Sequence, residues 1–102
     1  MKIPEQIKVG GHVYKIIWHD DSVLQPEFRG KIDYQTCEIH VMRGMSESAT
    51  VQTILHELIH AMFTHIGIVD HDENQAEALA QIWLSIIVDN PNMFAVEESD
   101  VQ

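Results

Sequence analysis

The feature that most constrains the fold of this 102-residue chain is a change of hydrophobic period near Ser46. Before Ser46, short runs of β-branched and aromatic residues are separated by turn residues such as Gly10 and Gly11, a pattern typical of strands and tight hairpins. After Ser46, apolar residues recur at three- and four-residue steps, which is the period of amphipathic helices. Strands followed by helices predict an α+β fold, in which a small, antiparallel-rich N-terminal β-sheet is backed by two helices.

The N-terminal half predicts strands near residues 5–9 and 12–19, joined by a tight turn at the two glycines. Residues 20–30 mix Asp, Ser, Pro and Gly without periodicity, so they are expected to form a connection. Residues 31–42 alternate again on either side of a break, which suits a second hairpin or one bulged strand. Both alternatives keep the sheet within the first half of the chain.

The first helix is predicted to begin at Ser46 or Ser48, either of which can cap its start, and to end at Gly67. Its apolar stripe consists of Val51, Ile54, Leu55, Leu58, Met62 and Ile66. At about 100° per residue, two histidines and a glutamate lie on roughly the opposite side of the helix. One face is therefore expected to pack on the core, and the other is expected to present imidazoles.

The second helix is predicted to begin at one of two capping boxes, formed by Asp70 and Glu73 or by Asp72 and Gln75. Pro91 stops this helix, because proline cannot continue its hydrogen bonds. The apolar face consists of Ala76, Leu79, Ala80, Trp83, Ile86 and Ile87. This face is expected to turn toward the first helix.

Composition excludes several classes of function. The formal net charge of −10 repels phosphate backbones, and the six Lys and Arg residues form no stripe, so no nucleic-acid partner is expected. The single cysteine and the lack of an apolar leader indicate a reducing, cytoplasmic setting. No apolar run reaches the roughly 18 residues that span a bilayer, so no membrane partner is expected. With 45% hydrophobic residues, the chain is expected to form one soluble domain over residues 1–91 and an acidic tail over residues 92–102.

The sequence HELIH, from His56 to His60, lies within the first predicted helix. Two imidazoles one turn apart can bind a single Zn²⁺ at about 2.0–2.1 Å per nitrogen, which leaves positions for a third protein ligand and a water. Glu57 emerges beside this position, where its carboxylate can take a proton from the water as a general base. The motif predicts His56 and His60 as metal ligands and Glu57 as a catalytic residue.

A catalytic zinc site needs a third protein ligand, and the sequence offers three. A histidine at the metzincin spacing would fall at position 66, which is Ile66, so that class is excluded. Glu77 is preferred because it lies at the margin of the packed face of the second helix, where its charge needs a partner. Glu73 already has a role in a capping box and at the helix dipole. His71 and Glu73 remain the alternatives to Glu77.

The segment HELIHAMF followed by ENQAEALAQIWLSIIVDNP resembles the very small gluzincin-type zinc metallopeptidases, or minigluzincins, and related phage-encoded zinc peptidases. These proteins also begin with a strand similar to VGGHVYKI, so the resemblance covers most of residues 5–91. It implies a zincin-like fold, in which a small sheet backs an active-site helix and a glutamate on the next helix completes the metal site. It further implies His56, His60 and Glu77 as zinc ligands, Glu57 as base, and a phage or bacterial origin.

Two functions from different classes remain open. The first is a zinc-dependent endopeptidase acting on a peptide or protein substrate, which pairs with an edge strand for which residues 37–41 are the candidate. Tyr14 or Tyr34 would supply an oxyanion donor if its strand reaches the cleft. Residues 92–102 are long enough to fold back over the cleft and keep such an enzyme latent. The alternative is a non-catalytic, zinc-containing module for protein interaction.

Overall fold

The computed structural model describes residues 2–20, 29–68, 70 and 72–93, which form an α+β structure as the sequence predicts. The strands are β1 (Gln6–Val9), β2 (His12–His19), β3 (Gly30–Asp33) and β4 (Glu38–Met42), and the helices are α1 (Glu47–His65), α2 (Glu73–Asp89) and a short 3₁₀ helix (Pro91–Met93). Residues 94–102, which make up most of the predicted acidic tail, lie outside the described residues. The predicted blocking of the cleft by this tail therefore stays a prediction.

The four strands form one mixed sheet in the order β1-β2-β4-β3. Each hairpin is antiparallel, since β1 pairs with β2 and β3 pairs with β4. Gly10 and Gly11 have φ values of 57° and 87° in the first turn, as a tight two-residue hairpin requires. The two hairpins join through a parallel pairing of β2 with β4, in which Ile16 lies opposite Ile39. The second hairpin is thus confirmed, and the parallel pairing makes β4 an internal strand.

The core lies between the inner face of the sheet and α1. Tyr14, Ile39 and Val41 are fully buried there, because alternate residues of a strand point to the same side of the sheet. Ile54 and Leu58 cover them from α1. Burying an aliphatic side chain of this size stabilises the fold by about 1.5–3 kcal/mol. This layer therefore fixes the position of α1 across the sheet.

The second helix packs on the first helix and not on the sheet. Ala76 and Ala80 are fully buried against Ile59 of α1, and such small side chains let two helices approach closely. In the described part of the chain, no strand contacts α2. The layers are therefore sheet, α1 and α2, which corrects the prediction that both helices back the sheet. For the same reason Leu79 and Trp83, predicted on the packed face of α2, are 39% and 41% exposed.

Both helices begin at caps that the sequence predicts. The hydroxyl of Ser46 accepts a hydrogen bond from a backbone N–H in the first turn of α1, and α2 uses the capping box of Asp72 and Gln75. The buried stripe of α1 is shorter than predicted, since Met62 and Ile66 near its end are 43% and 69% exposed. Neither helix within the described residues combines the length and the apolar character needed to cross a membrane.

Candidate metal centre

Two histidines of α1 form the base of a polar cluster. His56 and His60 are one helical turn apart, which places their rings on the same side of the helix. Their Nε2 atoms are 3.2 Å apart. His60 is buried and the His56 side chain is 14% exposed, so both rings are largely packed against protein while they line the cleft.

Glu73, in the first turn of α2, brings a carboxylate to the same point. Its Oε2 lies 2.7 Å from Nε2 of His56, and its Oε1 lies 3.1 Å from Nε2 of His60. The three side chains can therefore present one ligand atom each to a single ion. Tetrahedral zinc with bonds of about 2.0–2.1 Å separates its ligand atoms by about 3.3 Å. The two imidazole nitrogens, 3.2 Å apart, match this value, and each contacts a different oxygen of Glu73. The residues therefore fit zinc after a rotation of the Glu73 carboxylate that brings one oxygen to both nitrogens.

Glu77, one turn further along α2, contacts the opposite side of the His56 ring. Its Oε2 lies 2.7 Å from Nδ1 of His56, and its Oε1 accepts a hydrogen bond from the side-chain amide of Gln52. A carboxylate on the second nitrogen of a ligating imidazole fixes the tautomer and the orientation of the ring. The geometry thus favours Glu73 as the third ligand, and it gives Glu77, which the sequence analysis preferred, a positioning role.

The capping of α2 explains why Glu73 is available as a ligand. Of the two capping boxes that the sequence allows, the structure has the one formed by Asp72 and Gln75. The predicted role of Glu73 in a capping box with Asp70 is therefore wrong, whereas its predicted place in the first turn, near the helix dipole, is observed. With its side chain not used in a cap, Glu73 reaches across to α1. His71, the remaining alternative, lies outside the described residues.

The two carboxylates also change the protonation of the cluster. Burial lowers the pKa of His56, but hydrogen bonds to Glu77 and Glu73 outweigh burial and raise this pKa above its usual value. Burial raises the pKa of each glutamate, yet the hydrogen bond to His56 helps to bring the net pKa of both below the usual value. The metal-free cluster therefore favours ionised carboxylates around a protonated imidazole, and a metal ion would compete with that proton.

Glu57 is the buried acid of the cluster. It is 9% exposed, and burial raises the pKa of its carboxyl to about 7, while His56 opposes this rise and Glu73 adds to it. A carboxyl group that titrates near neutral pH is suited to general acid and base chemistry. A cation bound beside it would favour the ionised form.

The cluster lines an open cleft of about 700 Å³ between α1, α2 and β3. β3 lies directly against α1 because Gly30 has no side chain: a Cβ at this position would be 2.7 Å from Cγ2 of Thr53 and 3.9 Å from Cγ of Glu57. The edge strand beside the cleft is therefore β3. Residues 37–41 were the segment predicted from the sequence to form that edge. This is corrected, because the parallel pairing with β2 places β4 inside the sheet.

Of the two tyrosines considered as oxyanion donors, Tyr34 is the one that lines the cleft. Tyr14 is fully buried, and its hydroxyl is 2.7 Å from Nε2 of His65 at the end of α1.

Two further residues of the site were not predicted from the sequence. Gln52 lies one turn before His56, and this spacing was a usable signal. The sequence around Gly30 does not indicate its role, because this role depends on how closely β3 approaches α1.

Comparisons with known proteins add no identification. No protein-family model matches this chain, and searches of curated proteins and of solved structures find no match. The resemblance to gluzincin-type peptidases therefore depends on the motifs in the sequence.

Proposed function

We propose that this protein is a zinc-dependent endopeptidase of the gluzincin type, with a zincin-like arrangement of sheet, active-site helix and glutamate helix. One observation carries the proposal: Nε2 of His56 and Nε2 of His60 lie 3.2 Å apart, and each lies 2.7–3.1 Å from an oxygen of the Glu73 carboxylate, in the cleft that the buried Glu57 also lines. Three ligands and one base are the protein groups that a hydrolytic zinc site needs.

The ion would be held by His56, His60 and Glu73. Bound zinc would supply Lewis-acid chemistry, which lowers the pKa of a water molecule toward about 7 and polarises the carbonyl of the scissile peptide. Glu77 and Gln52 keep the His56 ring oriented through its Nδ1 atom. Three protein ligands leave room for water or substrate, as catalytic zinc sites require.

Glu57 transfers the proton during hydrolysis. Its carboxylate accepts a proton from the attacking water and then donates it to the nitrogen of the leaving amine. The enzyme therefore returns to its starting protonation state after each cycle. Burial raises the pKa of Glu57 to about 7 in the metal-free protein, and bound zinc would lower this pKa, which favours the carboxylate that accepts the proton.

An extended peptide is the substrate that suits this cleft. β3 is an edge strand, and a peptide can add to such an edge through main-chain hydrogen bonds. Gly30 keeps β3 against α1, so a peptide paired with β3 would pass beside the zinc ligands. Tyr34 lines the same cleft, and we assign its hydroxyl as the donor to the oxyanion that forms on the scissile carbonyl.

The test is cleavage of a broad peptide library by the intact, zinc-loaded protein, with new termini quantified by mass spectrometry. We expect cleavage by the wild type and a loss of about 100-fold or more in Glu57→Gln, because the proton acceptor is removed. Glu57→Gln should retain zinc, since Glu57 is not a ligand. Asp89→Asn, which changes an exposed acid at the end of α2, is the matched control and should keep full activity.

Two outcomes would contradict the proposal. Equal cleavage by Glu57→Gln and the wild type would mean that another group, or a contaminating peptidase, performs the reaction. A wild type that carries zinc and cleaves nothing would instead favour the non-catalytic interaction module. Measuring zinc content beside cleavage keeps these two outcomes distinct.

A further inference from the structure

The outer face of the sheet carries a second cluster of histidines. Ile39 and Val41 of β4 are buried against α1, so His40 between them points to the opposite face. His19, at the end of β2, shares that face, because Ile17 is the register partner of His40 and His19 is two residues further on. Among the described helices, α1 alone contacts the sheet, and it covers the inner face.

The two imidazole rings are in direct contact. Nε2 of His19 lies 2.6 Å from Nδ1 of His40, and the rings stack with their centroids 4.8 Å apart and an interplanar angle of 28°. Diagonal neighbours on adjacent strands are close enough for long side chains to meet in this way. Two imidazole nitrogens therefore converge on one point, where one donates a hydrogen bond to the other.

Glu38 determines which nitrogen of His40 is free to bind. Its Oε1 lies 3.3 Å from Nε2 of His40 and accepts a hydrogen bond from the hydroxyl of Thr36 (3.0 Å). The negative charge favours the tautomer of His40 with its proton on Nε2, which leaves the lone pair of Nδ1 facing His19. A carboxylate on the far nitrogen of an imidazole is the usual arrangement around metal-binding histidines.

We propose that His19 and His40 bind a divalent transition-metal ion, such as Zn²⁺ or Cu²⁺, at a second site separate from the cleft. Imidazole nitrogens favour these ions over Mg²⁺ and Ca²⁺. Two nitrogens that share an ion at about 2.0–2.1 Å lie about 2.9–3.3 Å apart, depending on the coordination geometry, so the rings separate by about 0.3–0.7 Å from the observed contact. His19 then carries its proton on Nδ1, so that both lone pairs face the ion, no proton is released, and water completes the coordination.

This second site is independent of the proposed peptidase activity. The sheet lies between it and α1, and the ion would bridge β2 and β4, the parallel pair that joins the two hairpins. Metal bound there therefore stabilises the sheet. Lys31 is the register partner of His40 on β3, and its positive charge on the same face opposes a cation. Lys31→Gln is accordingly expected to bind the ion more tightly.

The experiment measures zinc binding to the intact chain after His56→Gln and His60→Gln together have removed both imidazoles of the cleft site. We expect this variant to bind about one Zn²⁺ per chain with micromolar affinity, and we expect zinc to raise its Tm. Adding His40→Gln or His19→Gln should weaken binding by about tenfold or more and remove the rise in Tm. Adding His12→Gln, which changes another histidine of β2, is the matched control and should leave both results unchanged.

Long-range ¹H–¹⁵N spectra of the imidazoles provide a second readout that does not require the added variants to fold. In the chain that carries both His56→Gln and His60→Gln, zinc should shift Nδ1 of His40 and Nε2 of His19 together. The proposal is overturned if this chain binds no zinc, if His40→Gln binds zinc as tightly as the His12→Gln control, or if only other histidines shift. Because the cleft site is disabled throughout, failure of the peptidase proposal leaves this test unaffected.

Discussion

The buried carboxyl of Glu57 leads to a stability prediction that needs no metal. Burial raises its pKa from 4.5 to about 7, so in this range the folded state retains a proton that the unfolded state has released. The free energy of unfolding of metal-free protein therefore falls as the pH rises through this range. At about 1.4 kcal/mol per pKa unit, ionising Glu57 in the folded state costs about 3 kcal/mol. Glu57→Gln keeps the shape of the side chain and removes this cost.

The assay is urea unfolding of metal-free wild type and Glu57→Gln at about pH 5 and about pH 8. The difference between the two proteins reports the titration of Glu57 together with its coupling to His56, whose pKa Glu57 helps to raise, while groups that do not interact with Glu57 titrate alike in both. We expect the free energy of unfolding of Glu57→Gln, relative to that of the wild type, to rise by about 2–3 kcal/mol between the lower and the higher pH. Thr53→Ala removes a non-titrating side chain of similar burial from α1 (8% exposed, against 9% for Glu57) and should show no such shift. If the difference in free energy of unfolding between Glu57→Gln and the wild type does not change with pH, the claim that burial raises the pKa of Glu57 is refuted.

Three further predictions concern the cleft. Gly30→Ala places a methyl group 2.7 Å from Cγ2 of Thr53, so thermal denaturation should show a loss of about 1–3 kcal/mol, which Thr53→Ser partly restores. Tyr34→Phe should lower kcat by about 100-fold with little change in KM, because an oxyanion contact acts in the transition state; an unchanged kcat would exclude this tyrosine. In zinc titrations, Glu73→Gln should abolish tight binding, whereas Glu77→Gln should weaken it by about 10- to 100-fold, as expected of a residue that acts through a ligand. Equal losses would contradict the assignment of Glu73 as ligand.

Features with local determinants were predicted well from the sequence. The turn at Gly10 and Gly11 places β1 and β2 within a residue of the predicted strands, because positive φ at both positions leaves few other conformations. The start of α1 at Ser46 follows from side-chain capping of a free backbone N–H. The HELIH spacing likewise places His56 and His60 on one side of a helix wherever that helix lies.

Features that depend on tertiary packing were not predicted. Nothing in a local pattern of alternation reveals that β2 and β4 pair in parallel, and this pairing decides which strand is at the edge beside the cleft. The choice between Glu73 and Glu77 has the same origin, since both contact the His56 ring and the packing of α2 on α1 determines which ring nitrogen each one reaches. The contact of His19 with His40 depends on the same parallel register.

The zinc content of the intact protein tests the central claim most directly. The protein would be equilibrated with zinc buffered in the nanomolar range, which fills a site with three protein ligands but not one with two, and then measured by elemental mass spectrometry. We expect about one zinc per chain in the wild type and close to none in His60→Gln. No zinc in the wild type, or equal amounts in the two proteins, would contradict the assignment of His56, His60 and Glu73 as a metal centre.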